Sequence, residues 1–136
     1  MGDTQAWLER LHAATNGHDL EALVECFGPD YVNEAPAHPS RGFRGRDQVR
    51  RNWEQIFAFV PDLRAEVVAA SYDGPTVWSE WVMQGTRRDG SVHHMAGVIV
   101  FEVVDGEARR ARFFLEPVEE AAGTVNDAVR AQVVRS

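Results

Sequence analysis

Residues 76–117 read TVWSEWVMQGT (76–86), RRDGS (87–91), VHHMAGVIVFEVV (92–104), DG (105–106) and EARRARFFLEP (107–117). Apolar and polar side chains alternate along the three long runs, and Asp-Gly interrupts them at Asp89-Gly90 and Asp105-Gly106. A period of two marks a strand with two unlike faces. Asp-Gly accepts the positive φ of tight hairpin turns. A further run, Leu63 to Tyr72, precedes them across Asp73-Gly74-Pro75. The predicted strands are therefore Leu63 to Tyr72, Thr76 to Arg87, Val92 to Val104 and Ala108 to Val118, joined as an antiparallel meander.

Upstream the period changes to 3.6. Trp7, Leu8, Leu11, Ala14 and Thr15 share a helix face, with Asp3 or Thr4 as cap. Asn16-Gly17-His18 breaks that helix. Asp19 caps a second one with Leu20, Leu23, Val24 and Phe27 on one face, stopped by Gly28-Pro29. Tyr31 to Pro36 reads as a short strand and Ala37 to Gly45 as a loop. A third helix is predicted from about Asp47 to Phe59, with Val49, Trp53, Ile56, Phe57 and Val60 as its stripe. Val125, Val129 and Val133 imply a short helix in the tail, residues 121–136. Helices followed by a meander predict an α+β fold, a cone-shaped roll of three N-terminal helices on a curved, mostly antiparallel sheet. The cavity is expected where helices and sheet diverge. Without repeat or linker, 1–136 is expected to be one domain with its core at about 5–120.

Composition narrows the function. A net charge of −7 and a pI near 5.2 argue against nucleic acid, which needs a basic stripe. All 14 basic residues are Arg, which excludes a Schiff-base or phosphate-loop lysine. Cys26 is the lone cysteine, so no intrachain disulfide forms, and an inert core role is expected for it. His12, His18, His38, His93 and His94 show no ligand spacing, so neither metal nor cofactor is expected. Gly42-Phe43-Arg44-Gly45 is a loop rather than a nucleotide fingerprint. No signal peptide or membrane span is read, and a cytoplasmic location is expected.

Several stretches resemble the nuclear-transport-factor-2-like superfamily, in particular its SnoaL-like branch. They are Asn16-Gly17-His18-Asp19-Leu20, Gly45 before the third helix, Pro61-Asp62-Leu63, Glu80-Trp81 with Gly85-Thr86, Gly97 to Phe101 with Asp105-Gly106, and Phe114 to Val118. The resemblance implies the cone-shaped fold. It leaves function open among isomerases, dehydratases, cyclases, epoxide hydrolases and binding modules.

Alternation assigns the faces. Val77, Ser79, Trp81 and Met83 share one with His93, Met95, Gly97, Ile99, Phe101, Arg109, Ala111, Phe113 and Leu115. Glu80, Glu102, Arg110, Arg112 and Glu116 fall on the other, which is therefore convex, because burying so many charges is costly. Trp78, Val82, Val98, Val100 and Phe114 leave an apolar patch there. Family members commonly pair through this face, so the resemblance implies a homodimer.

The segment Val32-Asn33-Glu34-Ala35-Pro36 resembles the part of ketosteroid isomerases that carries the general base, which falls on Glu34. A carboxylate in an apolar cavity would have a raised pKa suited to proton transfer. The other reading pairs Glu34 with Arg41 or Arg44. The isomerase's oxyanion-binding tyrosine falls at Leu11 and its protonated acid at Ile99, so steroid isomerase activity is not expected. The limonene epoxide hydrolase pattern fails too, because its polar positions fall at Trp81, Met83 and Phe113. His93 is the second catalytic candidate, as acid or base. Scytalone dehydratase uses pocket histidines with an acid, which keeps a lyase open.

Asn33 and His38 are expected near the pocket mouth. Ser79 reads as packing, Asp19 and Asp47 as helix caps. Glu116 points outward by parity, although SnoaL-type cyclases place an acid near that strand end. Trp7, Leu11, Asn33, Trp53, Phe57, Trp81, Met83, Ile99 and Phe113 are the expected substrate-binding walls. The leading expectation is acid–base catalysis of isomerase, cyclase or lyase type on a small apolar carbonyl or cyclic metabolite. The alternatives are a non-catalytic small-molecule binder and a dimeric interaction module.

Overall fold

A computed structural model describes residues 2–134; Met1 and residues 135–136, the two ends of the expected domain, lie outside the described residues. The elements run α1 (Gly2–Asn16), α2 (Leu20–Val24), β1 (Phe27–Glu34), a 3-10 turn (Pro39–Arg41), β2 (Phe43–Arg44), α3 (Arg46–Phe59), β3 (Arg64–Asp73), β4 (Thr76–Thr86), β5 (Val92–Val104), β6 (Glu107–Pro117) and α4 (Val125–Val133). One mixed sheet has the order β2-β1-β6-β5-β4-β3. Every pairing is antiparallel except β1 with β6. The expected α+β roll is the observed one. No helix among the described residues is long and apolar enough to cross a membrane.

The meander forms where its turns predict. Asp105 and Gly106 take φ of 54° and 76°, the paired positive values of a tight hairpin. Asp19 caps α2 by accepting from the Ala22 amide at 3.1 Å. The tail helix α4 starts on a capping box between Thr124 and Asp127.

The segment between α2 and α3 differs from expectation. Phe27 was expected on the second helix and Tyr31 to Pro36 as the strand; instead the strand is Phe27–Glu34. The cause is tertiary. The Ala108 amide of β6 donates to the Cys26 carbonyl at 2.8 Å, and Phe27 pairs with Ala108. Sheet pairing captures backbone that local periodicity assigns to a helix. The expected loop also contains the two-residue strand β2, paired with Val32 and Asn33.

Asn16-Gly17-His18 does more than stop α1. Asn16 mimics a neighbouring strand, accepting from the Ala65 amide at 2.7 Å and donating to its carbonyl at 2.9 Å. His18, at φ 51°, stacks on Phe57 and reaches the Leu63 carbonyl at 2.9 Å. These contacts clamp the helical layer to β3.

The face assignment holds in the centre of the sheet. Val77, Ser79, Trp81, Met83, Ile99 and Phe101 are buried, while Trp78 and Phe114 on the opposite face are 47% and 42% exposed. Val100 departs from the exposed patch: flanked in register by Trp78 and Arg112, it is buried. Ser79 is more than packing. Its hydroxyl accepts from Trp81 Nε1 at 2.9 Å and donates to the Ile99 carbonyl at 2.7 Å, satisfying a buried indole.

Candidate functional site

A cavity of about 270 Å³ opens between α3, the end of β1 and the inner face of β4 to β6. Phe27 and Phe43 close one side. Val49, Trp53 and Ile56 of α3 form the roof, and Met83, Met95, Phe113 and Leu115 form the floor. Set among these apolar walls are Tyr31, Asn33, Arg41, Asn52, His93 and Glu116. Small-molecule sites have this character, an apolar enclosure with a few polar groups that fix orientation.

His93 sits near the start of β5, opposite Gly85 in the register, so no side chain stands across the ladder from it. Its ring has no hydrogen-bond partner among the described residues. Burial lowers its pKa, and the nearby positive charge of Arg87 lowers it further. The imidazole is therefore neutral at pH 7 and able to accept a proton.

Tyr31 and Asn33 form a second group. The buried Tyr31 hydroxyl donates to Asn33 Oδ1 at 2.7 Å. Burial pushes the phenol's pKa up, so it keeps this proton. Across the rim, His38 Nε2 lies 3.1 Å from Glu116 Oε1. This contact ties the loop carrying the 3-10 turn to the end of β6. Strand parity turned Glu116 outward, yet it lines the cavity. Gly97, next to the Ala96 that pairs with Glu116, has φ of 150°.

Glu34 is not in this cavity. Its carboxylate takes two hydrogen bonds from Arg110, at 2.9 and 3.0 Å, in a shallow depression shared with Arg112 on the other face. The raised pKa expected of a buried base is reversed, because the Arg110 guanidinium holds it below the ordinary carboxylate value. Nor is the partner Arg41 or Arg44. The register decides this: β1 runs parallel to β6 with Asn33 beside Ala111 and Glu34 beside Arg112. Asn33 shares the inner face and Glu34 the outer.

Of the expected walls, Asn33, Trp53, Met83 and Phe113 line the cavity. Trp7, Leu11, Trp81 and Ile99 do not; they are packed solid in the core. Trp7 lies edge-on to Phe101, 4.7 Å between ring centres, and donates to the Cys26 carbonyl at 2.8 Å. Phe57 sits beside Trp53 but turns to stack on His18. The narrow end of the cone is thus filled, and the open volume lies toward its mouth. Tyr31, Arg41 and Asn52 were not among the expected walls, while Met95 lies on the inner face where alternation put it. For Tyr31 a signal existed, since Tyr31, Asn33 and Ala35 alternate with Glu34.

Helices closing a curved mixed sheet over a cavity are the nuclear-transport-factor-2-like architecture. The SnoaL-like domain profile matches residues 8–111, and the chain belongs to that family. Among curated proteins none matches it. Its structural relatives include IdmH of Streptomyces antibioticus, described as a candidate polyketide cyclase. IdmH is 25% identical over 82% of this chain and 90% of its own, with a TM-score of 0.70. A candidate ketosteroid isomerase of Kribbella flavida is 23% identical over 99% of this chain and 90% of its own, with a TM-score of 0.70. An LEH-like epoxide hydrolase of M. tuberculosis is 19% identical over 82% of this chain and 80% of its own, also with a TM-score of 0.70. The last two likenesses establish the fold alone.

Proposed function

We propose that this protein catalyses proton transfer on a small, largely apolar carbonyl or cyclic metabolite held in the cavity, with His93 as the base. The observation that carries the reading is the neutral, unpartnered His93 imidazole in an apolar wall. His93 takes a proton from carbon next to the carbonyl and becomes an imidazolium. The electron pair moves onto the carbonyl oxygen as an enolate. Return of the proton to the same or another carbon completes an exchange or an isomerisation.

Deuterium exchange of 2-tetralone in D2O, followed by proton NMR, tests this. The protein is expected to accelerate exchange, and His93→Ala to lose about 100-fold or more of that acceleration. Exchange at the buffer rate, or an undiminished His93→Ala, overturns it. The same histidine sets a pH dependence. Its folded pKa lies below the ordinary 6.5, so the unfolded chain binds the proton more readily in the window just below 6.5. Stability from this group is complete above 6.5 and falls as pH drops through that window. Its resonance should titrate below 6.5 in the native protein.

A second reading, a non-catalytic binder, draws support from the acids. Glu34 is held by Arg110 and Glu116 by His38, so no free carboxylate accompanies His93. The exchange assay separates the two.

The convex face supports association of two copies, since Val68, Trp78 and Phe114 are exposed there. A dimer mass by light scattering at micromolar concentration is expected, and Trp78→Arg should convert it to monomer. A monomeric native protein would contradict the pairing.

A further inference from the structure

Resting on the reading of this cavity as the ligand site, we propose that its ligand carries a carboxylate, received by Arg41 with the side-chain amides of Asn33 and Asn52.

Asn52 is oriented by a chain with one consistent solution. Arg51 has only donors, and its Nη2 lies 2.9 Å from Gln48 Oε1. Gln48 must then present Nε2 to Asn52, and does so at 2.8 Å, so the Asn52 atom it meets is Oδ1. The Asn52 NH2 is left without a partner among the described residues. Asn33 also has its oxygen taken in this structure. The Tyr31 proton goes to Asn33 Oδ1, and the Asn33 NH2 is left free. Arg41, at the end of the 3-10 turn, donates its backbone amide to the His38 carbonyl at 2.9 Å, while its guanidinium makes no hydrogen bond or ion pair among the described residues. It lies two residues before Phe43, the β2 residue that pairs with Asn33.

Both amides thus have their acceptor oxygen occupied and their donor end spare, and beside them stands an unpaired guanidinium. Against these donors the side-chain acceptors of the cavity are few: Glu116, whose Oε1 is engaged by His38, and one nitrogen of the neutral His93 ring. A group of spare donors around a fixed positive charge is complementary to an anion with planar acceptor oxygens. The apolar roof and floor demand that the rest of the ligand be hydrophobic. A ring or short chain ending in a carboxylate satisfies both.

Isothermal titration with 2-naphthoate and with 2-naphthamide, its neutral counterpart, tests this at pH 7.5. The acid is expected to bind about tenfold or more tightly than the amide, the usual scale of a hydrogen bond to a charged group. Arg41 is exposed, so Arg41→Gln should fold normally, and it should abolish that preference by weakening naphthoate about tenfold more than naphthamide. Asn52→Asp, which adds a negative charge in place of a donor, should weaken naphthoate more than naphthamide. Equal binding of the two probes, or a preference that survives Arg41→Gln, overturns the carboxylate inference even where tetralone exchange proceeds through His93. Failure of both probes to bind, together with no tetralone exchange, overturns the site reading itself.

Discussion

Gly97→Ala is expected to cost at least about 3 kcal/mol of folding stability, and to prevent folding if the native margin is at the small end of the usual range. Two effects add at this position. The backbone takes φ of 150°, a region that L-residues rarely adopt. A Cβ there would also lie 2.1 Å from the Phe114 carbonyl oxygen and 2.9 Å from Leu115 Cα. Both are backbone atoms of the paired strand and cannot rotate away, so β6 would have to separate from β5. Gly85→Ala is the control. Its Cβ would come to 2.4 Å from Val60 Cγ1 and 3.2 Å from Leu63 Cα, but its φ lies outside the left-handed region and its nearest backbone atom is over 1 Å farther off than at Gly97, so its cost should be smaller. Urea unfolding midpoints measure both variants. A Gly97→Ala loss under about 1 kcal/mol would show that the backbone at position 97 does not depend on glycine.

Trp81→Ala is expected to cost about 3 to 5 kcal/mol, the scale for deleting a fully buried aromatic. Trp81 is 1% exposed and paired in register with Val67 and Gly97 at the centre of the sheet. Its indole stands edge-on to His12, 5.9 Å between ring centres, and so bridges sheet and α1. Trp81→Phe should cost less, because most apolar contact survives. Ser79 then loses only its donor and still bonds the Ile99 carbonyl. Equal unfolding midpoints for Trp81→Ala and the native protein would contradict the core placement of this residue.

Trp81 also illustrates how far the sequence could be read. Alternation put it on the inner face, and it is there. It was expected to line the ligand cavity and is instead covered, because inward-facing is not the same as cavity-facing. The difference depends on which side chains fill the narrow end, and Trp7, Leu11, Trp81, Ile99 and Phe101 fill it together. No local pattern records that sum of volumes.

Glu34 teaches a related point. Its neighbours resembled a catalytic segment, and the apolar surroundings suggested a raised pKa. Parity within Tyr31 to Ala35 could have separated Asn33 from Glu34, but which parity faces inward was set by the partner strand. That partner, β6, lies 76 residues away at the Glu34–Arg110 contact. The His38–Glu116 contact spans 78 residues and was equally unreadable.

The meander with which the sequence was first read depended on local chemistry alone. Alternation gives a strand two faces, and Asp-Gly supplies the positive φ of a turn, so residues 63–117 declared their strands, their order and their central faces. The curved sheet and the helical layer over it followed. Tertiary structure alone decided the parallel seating of β1 on β6, the filling of the narrow end and the positive φ at Gly97. These determine that Glu34 is excluded from the cavity, and that His93, Asn33, Asn52, Arg41 and Glu116 converge on it. The physical reason is that hydrogen-bond pairing between distant strands and the packing of large side chains are properties of the assembled chain, not of any segment within it.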